Sequence, residues 1–359
     1  MQKHLILIAF FFTLLGCDAQ NQEPVQPTPT ADDFVRGADL SFLPEMEAAG
    51  TVFFDANNQQ MEALSIFQKN GCNMVRIRVW HTPAKGHSGT TEVAALAQRV
   101  REKGMKVWLD FHYSDTWADP GQQAKPAAWA ALGYPALLKA VYDYTKEVLE
   151  KVKPDMVQIG NEINNGFLWP TGNYGDHPTQ FAELLKEGIR AARAYDPKMK
   201  IMVHFAGIEG AEKYYQFLKS SQVDYDLIGL SYYPKWHGKS LDSLATVMSR
   251  LADAHEKDII LAEIAYPFTS GWNDNTGNII GDNDLILPDY PATEEGQKAF
   301  LLRLRSRVEK NRKGRGLCYW EPAWVAYKGK TATDGSPWEN QTLFDFQNKA
   351  LPGMELYKK

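Results

Sequence analysis

The chain of 359 residues is 44% hydrophobic and 23% charged, an ordinary globular composition with enough length for one large domain and a sizeable core. A formal charge of −5, with no run of like charges, leaves no basic face and argues against nucleic acid as a partner. Aromatic residues reach 12%, with 10 Trp and 16 Tyr, more than a core needs because indole N–H and phenol O–H groups want polar partners. Surfaces that stack on sugars would use the excess, as would a large aromatic core.

In chain order, Lys3 and His4 lead into an apolar run over 5–15 that is too short to span a bilayer comfortably. The run ends in Leu14-Leu15-Gly16-Cys17, which resembles a bacterial lipobox, and residues 1–16 are therefore read as a lipoprotein signal peptide. An ordinary signal peptide with an incidental Cys is the alternative. Residues 17–33 read as the lipidated Cys17 and a polar, Pro-rich flexible tether, and 34–359 as the single folded domain. The chain would then touch a membrane only through its anchor, in the bacterial cell envelope at the outer membrane or cell surface. Cys72 and Cys318 sit in strand-like apolar runs, so two buried free thiols are expected, although secretion would permit a disulfide.

Beyond the tether, short β-rich runs alternate with longer amphipathic stretches. The predicted strands cover 35–41, 73–80, 106–113, 156–162, 200–207, 226–234, 259–267 and 316–322. Predicted helices cover 61–70, 93–104, 135–152, 179–195, 241–257 and 294–311, with the weakest helical signal between Glu209 and Ser221. Leu137, Leu138, Val141, Tyr144, Thr145 and Val148 trace one helical face, while Lys and Glu fill the other. Neither an internal repeat nor a second composition class appears. Eight βα units predict an α/β fold, a (β/α)8 TIM barrel, with a doubly wound open sheet as the second choice.

In such barrels chemistry sits at the carboxyl ends of the strands. Here those ends carry Asp39, Arg78 with Trp80, His112 with Tyr113, Asn161 with Glu162, His204, Tyr232 with Tyr233, Glu263, and Trp320 with Glu321. Singly, each reads as a cap or turn residue, but a full ring converging on one mouth does not. Glu162 and Glu263 end the fourth and seventh strands and so face each other across that mouth. A lone Glu at a strand end would read as a cap or surface ion pair. Two across a cleft are the tools of glycoside hydrolysis: one protonates the leaving oxygen, the other attacks the anomeric carbon or activates water. Asn161 could hold the sugar 2-hydroxyl. Arg76, Arg78 and Trp80 share strand parity and would point inward together, where an arginine would keep a nucleophile ionised.

The segments RGADLS, VRIRVW, WLDFHYSDTWADPGQQAKPAAW, QIGNEINNGFLWP, GLSYYPKWHG, AEIAYP and YWEPAWV together resemble glycoside hydrolase family 53, the arabinogalactan endo-β-1,4-galactanases, from about residue 36 to 346. The resemblance implies Glu162 as acid/base and Glu263 as nucleophile, net retention, a β-1,4-galactan substrate, and no cofactor for the chemistry. It also implies a polar shell of Arg78, His112, Asn161 and Tyr232 or Tyr233, to which Asp39 is added from the ring of strand ends. Parity alone does not choose between the tyrosines, because bulges shift register near active sites, and Tyr233 is preferred. Trp320 stands where the family has an aromatic floor, and Trp117, Trp169 and Trp324 in adjoining loops are further stacking candidates, with core packing the alternative for Trp324. His112 as a metal ligand is disfavoured, because no second His or Cys stands at ligand spacing.

The segment 270–286 is rich in Asp, Asn and Gly, which suits calcium and equally suits plain turns. The resemblance extends to a bacterial calcium site, implying a structural Ca2+ on Asp274, Asn278, Ser336 and Glu339, with Thr276 between the first two. Trp272 replaces a further carboxylate of that pattern. Two other readings compete: a related barrel hydrolase acting on another plant polysaccharide (mannan, xylan or arabinan), and a surface glycan-binding lipoprotein that no longer turns over. A monomer is expected.

Overall fold

Runs in which Val, Ile, Leu and Met alternate with polar or small residues become eight parallel strands in the computed structural model, which describes residues 34–359. The signal peptide and tether expected over 1–33 lie outside the described residues. The strands are β1 (Val35–Asp39), β2 (Met74–Val79), β3 (Lys106–Phe111), β4 (Met156–Ile159), β5 (Lys200–Ala206), β6 (Leu227–Tyr232), β7 (Asp258–Ile264) and β8 (Gly314–Tyr319). Each pairs with its sequence neighbour, and β1 closes the ring by pairing with β8 as well as β2. Closure is what separates this (β/α)8 barrel from the doubly wound alternative.

Seven helices cover the outside: α1 (Ala63–Asn70), α2 (Thr90–Glu102), α3 (Tyr134–Val152), α4 (Pro178–Tyr195), α5 (Ala211–Ser220), α6 (Leu241–His255) and α7 (Glu294–Lys310). The α3 face expected from periodicity is buried at Leu137, Val141, Tyr144, Thr145 and Val148, with Leu138 half-buried at its edge. The stretch with the weakest signal is a true helix, α5. Ala211, Tyr214, Tyr215 and Leu218 repeat at helical spacing and are all buried, and Gly210 at φ 80° starts it in a conformation that suits glycine. After β8, a 3₁₀ turn at Pro352–Tyr357 takes the place of an eighth helix. It is tied to α7 by the Lys298–Glu355 ion pair at 2.9 Å and by Arg305 Nη1 donating to the Leu356 carbonyl at 3.0 Å. A short helix (Leu43–Ala48) and a hairpin pairing Phe53–Phe54 with Gln60–Met61, neither expected, occupy the β1–α1 connection.

Inside the barrel, inward side chains stack in layers. The lower layer is apolar: Val35, Met74, Trp108, Met156, Met202, Leu227, Ile260 and Cys318. Trp108 is fully buried there, and its truncation would cost about 3–5 kcal/mol. Cys72 and Cys318 are buried free thiols. Two residues further along four strands the layer turns polar, with Arg76, Asp110, Gln158 and His204 all buried. β7 carries one extra residue at this height: Leu261 pairs with Leu230, but Glu263 pairs with Ser231. By simple alternation from Ile260 and Ala262 the next inward residue would be Ile264. The bulge turns Glu263 inward and leaves Ile264 in the outer core.

Candidate active site

The floor of the barrel mouth is organised around Arg76. Its Nη1 lies 2.7 Å from Asp39 Oδ2 and 2.9 Å from Glu263 Oε1; its Nη2 lies 2.9 Å from Asp110 Oδ2 and 2.8 Å from Asn161 Oδ1; and Nε donates to Gln158 Oε1 at 3.2 Å. A guanidinium tolerates this depth because it is surrounded by acceptors, and because it sits 5.5 Å over the Trp108 ring.

Glu263, aimed by the β7 bulge, receives the Tyr233 hydroxyl at Oε2 (2.9 Å) as well as Arg76 at Oε1. Glu162 follows Gly160 (φ 86°) and is itself left-handed at φ 47°, a sharp turn that throws its carboxyl over the floor. Its Oε1 accepts the Ser231 hydroxyl at 2.5 Å, and Ser231 Oγ lies 2.9 Å from His204 Nε2. Glu162 and Glu263 approach until one oxygen of each falls within 4.8 Å of the other.

At that separation two buried carboxyls do not readily both ionise, so the pair holds one proton over a broad pH range. Burial pushes Glu162 up to about 7, against the Ser231 hydrogen bond and the Arg76 charge. Burial also pushes Glu263 up, opposed chiefly by Arg76 and reinforced by the negative charge of Glu162. The partners decide which member keeps the charge. Glu263 has a guanidinium and a phenol, Glu162 a single hydroxyl, so the proton resides on Glu162. Burial, then Arg76, holds His204 well below its usual range, as a neutral imidazole. One of its ring nitrogens lies within 4.8 Å of an oxygen of each carboxylate, but both nitrogens are engaged, Nε2 by Ser231 and Nδ1 by Gln158 and the Glu162 backbone N–H.

The other expected residues converge on the same cavity of about 630 Å³, though not all in the roles assigned to them. Asn161 accepts from Arg76 and donates through Nδ2 to the Ala118 carbonyl at 2.8 Å, which fixes its amide beside Glu162 and leaves one N–H for a ligand. Tyr233, not Tyr232, faces inward; the Tyr232 hydroxyl donates to the Gly238 carbonyl outside the cavity. Asp39 is occupied by Arg76 and by Ser41, whose Oγ lies 2.6 Å from Oδ1, so it braces the floor instead of holding a sugar directly. His112 Nδ1 accepts from the Ala118 N–H (3.1 Å) and the Trp80 indole (3.3 Å), and Nε2 faces Asp110 at 3.0 Å. Both ring nitrogens are thus engaged by the protein, and the hydrogen bond to substrate expected of His112 has no free atom. Arg78 differs most from expectation: it pairs with buried Glu321 at 2.6 Å and stacks over Phe42 and Trp117, on the cavity wall. Arg76, of the same parity, takes the place beside Glu263.

Trp320 lines the cavity, braced edge-on by Trp338, whose ring centroid is 4.7 Å away. Trp117 and Trp324 line it too, Trp324 stacked on Phe42 at 3.8 Å and almost wholly buried. Trp169 does not; its indole donates to the Asn165 carbonyl in the loop after β4. Trp80 and Tyr113, from the expected ring, also stay off the cavity. Sequence reasoning passed over Trp236, which lines the rim at 50% exposure, and Ser231, whose signal was its shared parity with Tyr233.

Away from the cavity, the loops after β7 and β8 meet. Asp274 Oδ2, Asn278 Oδ1 and Glu339 Oε2 are buried oxygens without a hydrogen-bond partner. Their sister atoms are engaged: Asp274 Oδ1 accepts from the Thr276 N–H (2.6 Å), Glu339 Oε1 from the Asn273 N–H (2.6 Å), and Asn278 Nδ2 donates to the Gly271 carbonyl (3.2 Å). Burial and then the nearby Asp274 charge push Glu339 up. A hard divalent ion fits this donor set. Ser336 is a correction: its hydroxyl donates to the Trp324 carbonyl at 2.5 Å and accepts from the Trp338 N–H at 3.2 Å, which removes it as a side-chain ligand.

The sequence profile of glycosyl hydrolase family 53 matches residues 35–357. An arabinogalactan endo-β-1,4-galactanase of Cellvibrio japonicus is 38% identical over 92% of this chain and 93% of its own length. An endo-β-1,4-galactanase of Bacillus subtilis is 32% identical over 91% and 86% respectively. Among solved structures, the GH53 catalytic domain from Ignisphaera aggregans superposes with a TM-score of 0.86 at 39% identity, covering 93% of this chain and 98% of that one.

Proposed function

The chain belongs to glycosyl hydrolase family 53 and is a glycoside hydrolase, and we propose that it cleaves β-1,4-galactan internally with retention of anomeric configuration. The observation that carries the retaining reading is the narrow gap between the Glu162 and Glu263 oxygens, within 4.8 Å. Retaining pairs stand about 5–5.5 Å apart, whereas inverting pairs need roughly 6.5–9.5 Å to admit water.

In the first step the Glu263 carboxylate attacks the anomeric carbon and the glycosidic C–O bond breaks, while Glu162 passes its proton to the departing oxygen. In the second, water attacks the same carbon, gives a proton back to Glu162, and the ester to Glu263 is released. Arg76 and Tyr233 hold the nucleophile charged and oriented. The free Asn161 N–H is the donor for the sugar 2-hydroxyl, and Trp320 offers its ring to an apolar sugar face. The relatives' names support galactan over xylan or mannan as the substrate. Reducing-sugar release from pure galactan, xylan, mannan and arabinan, with proton NMR of the first anomer formed, tests both parts. Fastest release from another polymer, or an inverted first product, overturns the corresponding part.

Asp274, Asn278 and Glu339 would hold a structural Ca2+, which supplies charge balance to the outer loops and no step of the chemistry. The enzyme works as a single chain, anchored in the bacterial envelope through lipid on Cys17, a reading that rests on the Leu14-Leu15-Gly16-Cys17 segment.

A further inference from the structure

We propose that Ser231 and His204 act as a positioning pair for Glu162, fixing the catalytic proton on Oε2, the carboxyl oxygen that Ser231 does not engage; this rests on the reading of Glu162 as the acid/base. Neither residue has a part in the double displacement described above, yet both are buried completely at its centre, on the adjacent strands β5 and β6.

The number of available protons decides the direction of each hydrogen bond here. Ser231 Oγ has one proton, and two neighbours compete for it: Glu162 Oε1 at 2.5 Å and His204 Nε2 at 2.9 Å. After Glu162 has protonated the leaving oxygen it is a carboxylate, and an oxygen anion at 2.5 Å from Oγ requires the hydroxyl to donate to it. Oγ must then accept from His204, which places the imidazole proton on Nε2. Since the ring is neutral, Nδ1 is left as a lone pair. It is met by the Gln158 amide nitrogen at 3.0 Å and the Glu162 backbone N–H at 3.4 Å. Asn161 Oδ1 also lies 3.0 Å from Nδ1, but Arg76 Nη2 holds that oxygen at 2.8 Å. The donors therefore run one way round a ring, from the Glu162 backbone through His204 and Ser231 to the Glu162 carboxylate.

With Oε1 permanently an acceptor, the proton taken up by Glu162 goes to Oε2. The Ser231 bond also favours the charged form, so it sets how readily the proton leaves. The other ionisable groups near Glu162 are Arg76 from β2, Asp110 from β3, His112 and Asp119 in the loop that follows it, Tyr233 and His237 after β6, and Glu263 from β7. None of them is altered by changing Ser231.

The test is a pH profile of kcat/KM for the wild type, Ser231→Ala, Ser231→Thr and His204→Phe, on galactan and on an aryl galactooligosaccharide whose good leaving group needs little protonation. For Ser231→Ala the alkaline limb on galactan should move up by about one pH unit and kcat should fall roughly tenfold or more, with a much smaller fall on the aryl substrate. Ser231→Thr keeps the hydroxyl and should return the limb to its wild-type position. His204→Phe, which cannot donate to Oγ, should shift it in the Ala direction. A folded Ser231→Ala or His204→Phe enzyme with the wild-type limb and the wild-type ratio between substrates overturns the pair. If Ser231→Ala does not fold, the comparison of His204→Phe with Ser231→Thr decides the matter by the same criterion. Wild-type protein that leaves galactan intact would instead strike at the functional reading, a separate outcome.

Discussion

Arg76 meets Glu263 in an ion pair of 2.9 Å at the base of the cleft, and the same guanidinium nitrogen reaches Asp39 at 2.7 Å. The pair does more than hold Glu263 in place: it is the only positive charge in direct contact with that carboxyl among the described residues. Arg76→Lys keeps the charge but cannot supply a fork that satisfies five acceptors, so kcat should fall by roughly a hundredfold or more, with the acidic limb of the profile moving to higher pH. Arg78→Lys breaks the pair with Glu321 on the wall and should act more on KM and melting temperature than on kcat. Retention of wild-type kcat in Arg76→Lys would refute this division.

The two glutamates proposed as acid/base and nucleophile should separate on substitution. Glu263→Ala should abolish hydrolysis, and azide, filling the vacated volume beside Arg76, should restore some turnover with inverted product. Glu162→Ala should spare substrates with good leaving groups, which need little proton donation. Identical behaviour of both variants on an activated aryl glycoside would reverse or void the assignment.

Because the proposed role of Glu162 requires its protonated form, kcat/KM should fall as pH rises through about 7, the value to which burial pushes it. The same shift has a stability consequence. An acid with a folded pKa raised above its unfolded value favours the native state fully below the unfolded value, near 4.5, and that contribution is lost as pH climbs through about 7. Glu162→Gln, which cannot ionise, should therefore be more stable than wild type at pH 8, by about 1–3 kcal/mol, and lose the advantage near pH 4.5. The lower end is expected, since the carboxyl lies at the cavity surface with partial access to water. An advantage of equal size at both pH values would refute the linkage.

Much of this site is legible in the sequence because strand alternation and strand order are local facts. Glu162 and Glu263 could be placed across a mouth from their ordinal strands alone, whereas the choice of Tyr233 over Tyr232 needed the fold, because alternation leaves it open wherever a bulge can shift register. What alternation does not supply is depth. Arg76 and Arg78 point the same way, and only the ring register shows that Arg76 stands level with Asp39, Asp110 and Asn161 while Arg78 rises to Glu321. The β7 bulge is equally silent in the letters LAEIAYP, although without it Glu263 would face the outer core. His112 and Ser336 show a further limit: residue type advertises a donor or acceptor, but not whether neighbouring backbone already engages it.

The calcium proposed at Asp274, Asn278 and Glu339 should stabilise the fold without taking part in the reaction. Chelation should lower the melting temperature, by an amount equivalent to about 2.7 kcal/mol if the ion had been present at roughly a hundred times its Kd, while hydrolysis at low temperature continues. Asp274→Ala should show the lower melting temperature and no further response to chelator. Complete and immediate loss of activity in chelator at low temperature would contradict a purely structural ion, and a chelator-insensitive wild type would contradict any ion.

Among the described residues no helix is long and apolar enough to cross a membrane, so the proposed attachment rests on Cys17 and the apolar run before it. A lipidated bacterial Cys carries two or more acyl chains, enough for stable anchoring where a single chain binds only marginally. Residues 18–31 are Pro-rich, and a Pro-rich linker of that length, at about 3.1 Å per residue, would place the barrel roughly 40 Å from the lipid surface, within reach of a polymer outside the envelope. Full-length enzyme should therefore fractionate with membranes and Cys17→Ala enzyme should not, with equal specific activity on soluble galactan because the anchor is remote from the cleft. Equal amounts of both forms in the culture supernatant would remove the anchor and leave a freely secreted enzyme with the same active site.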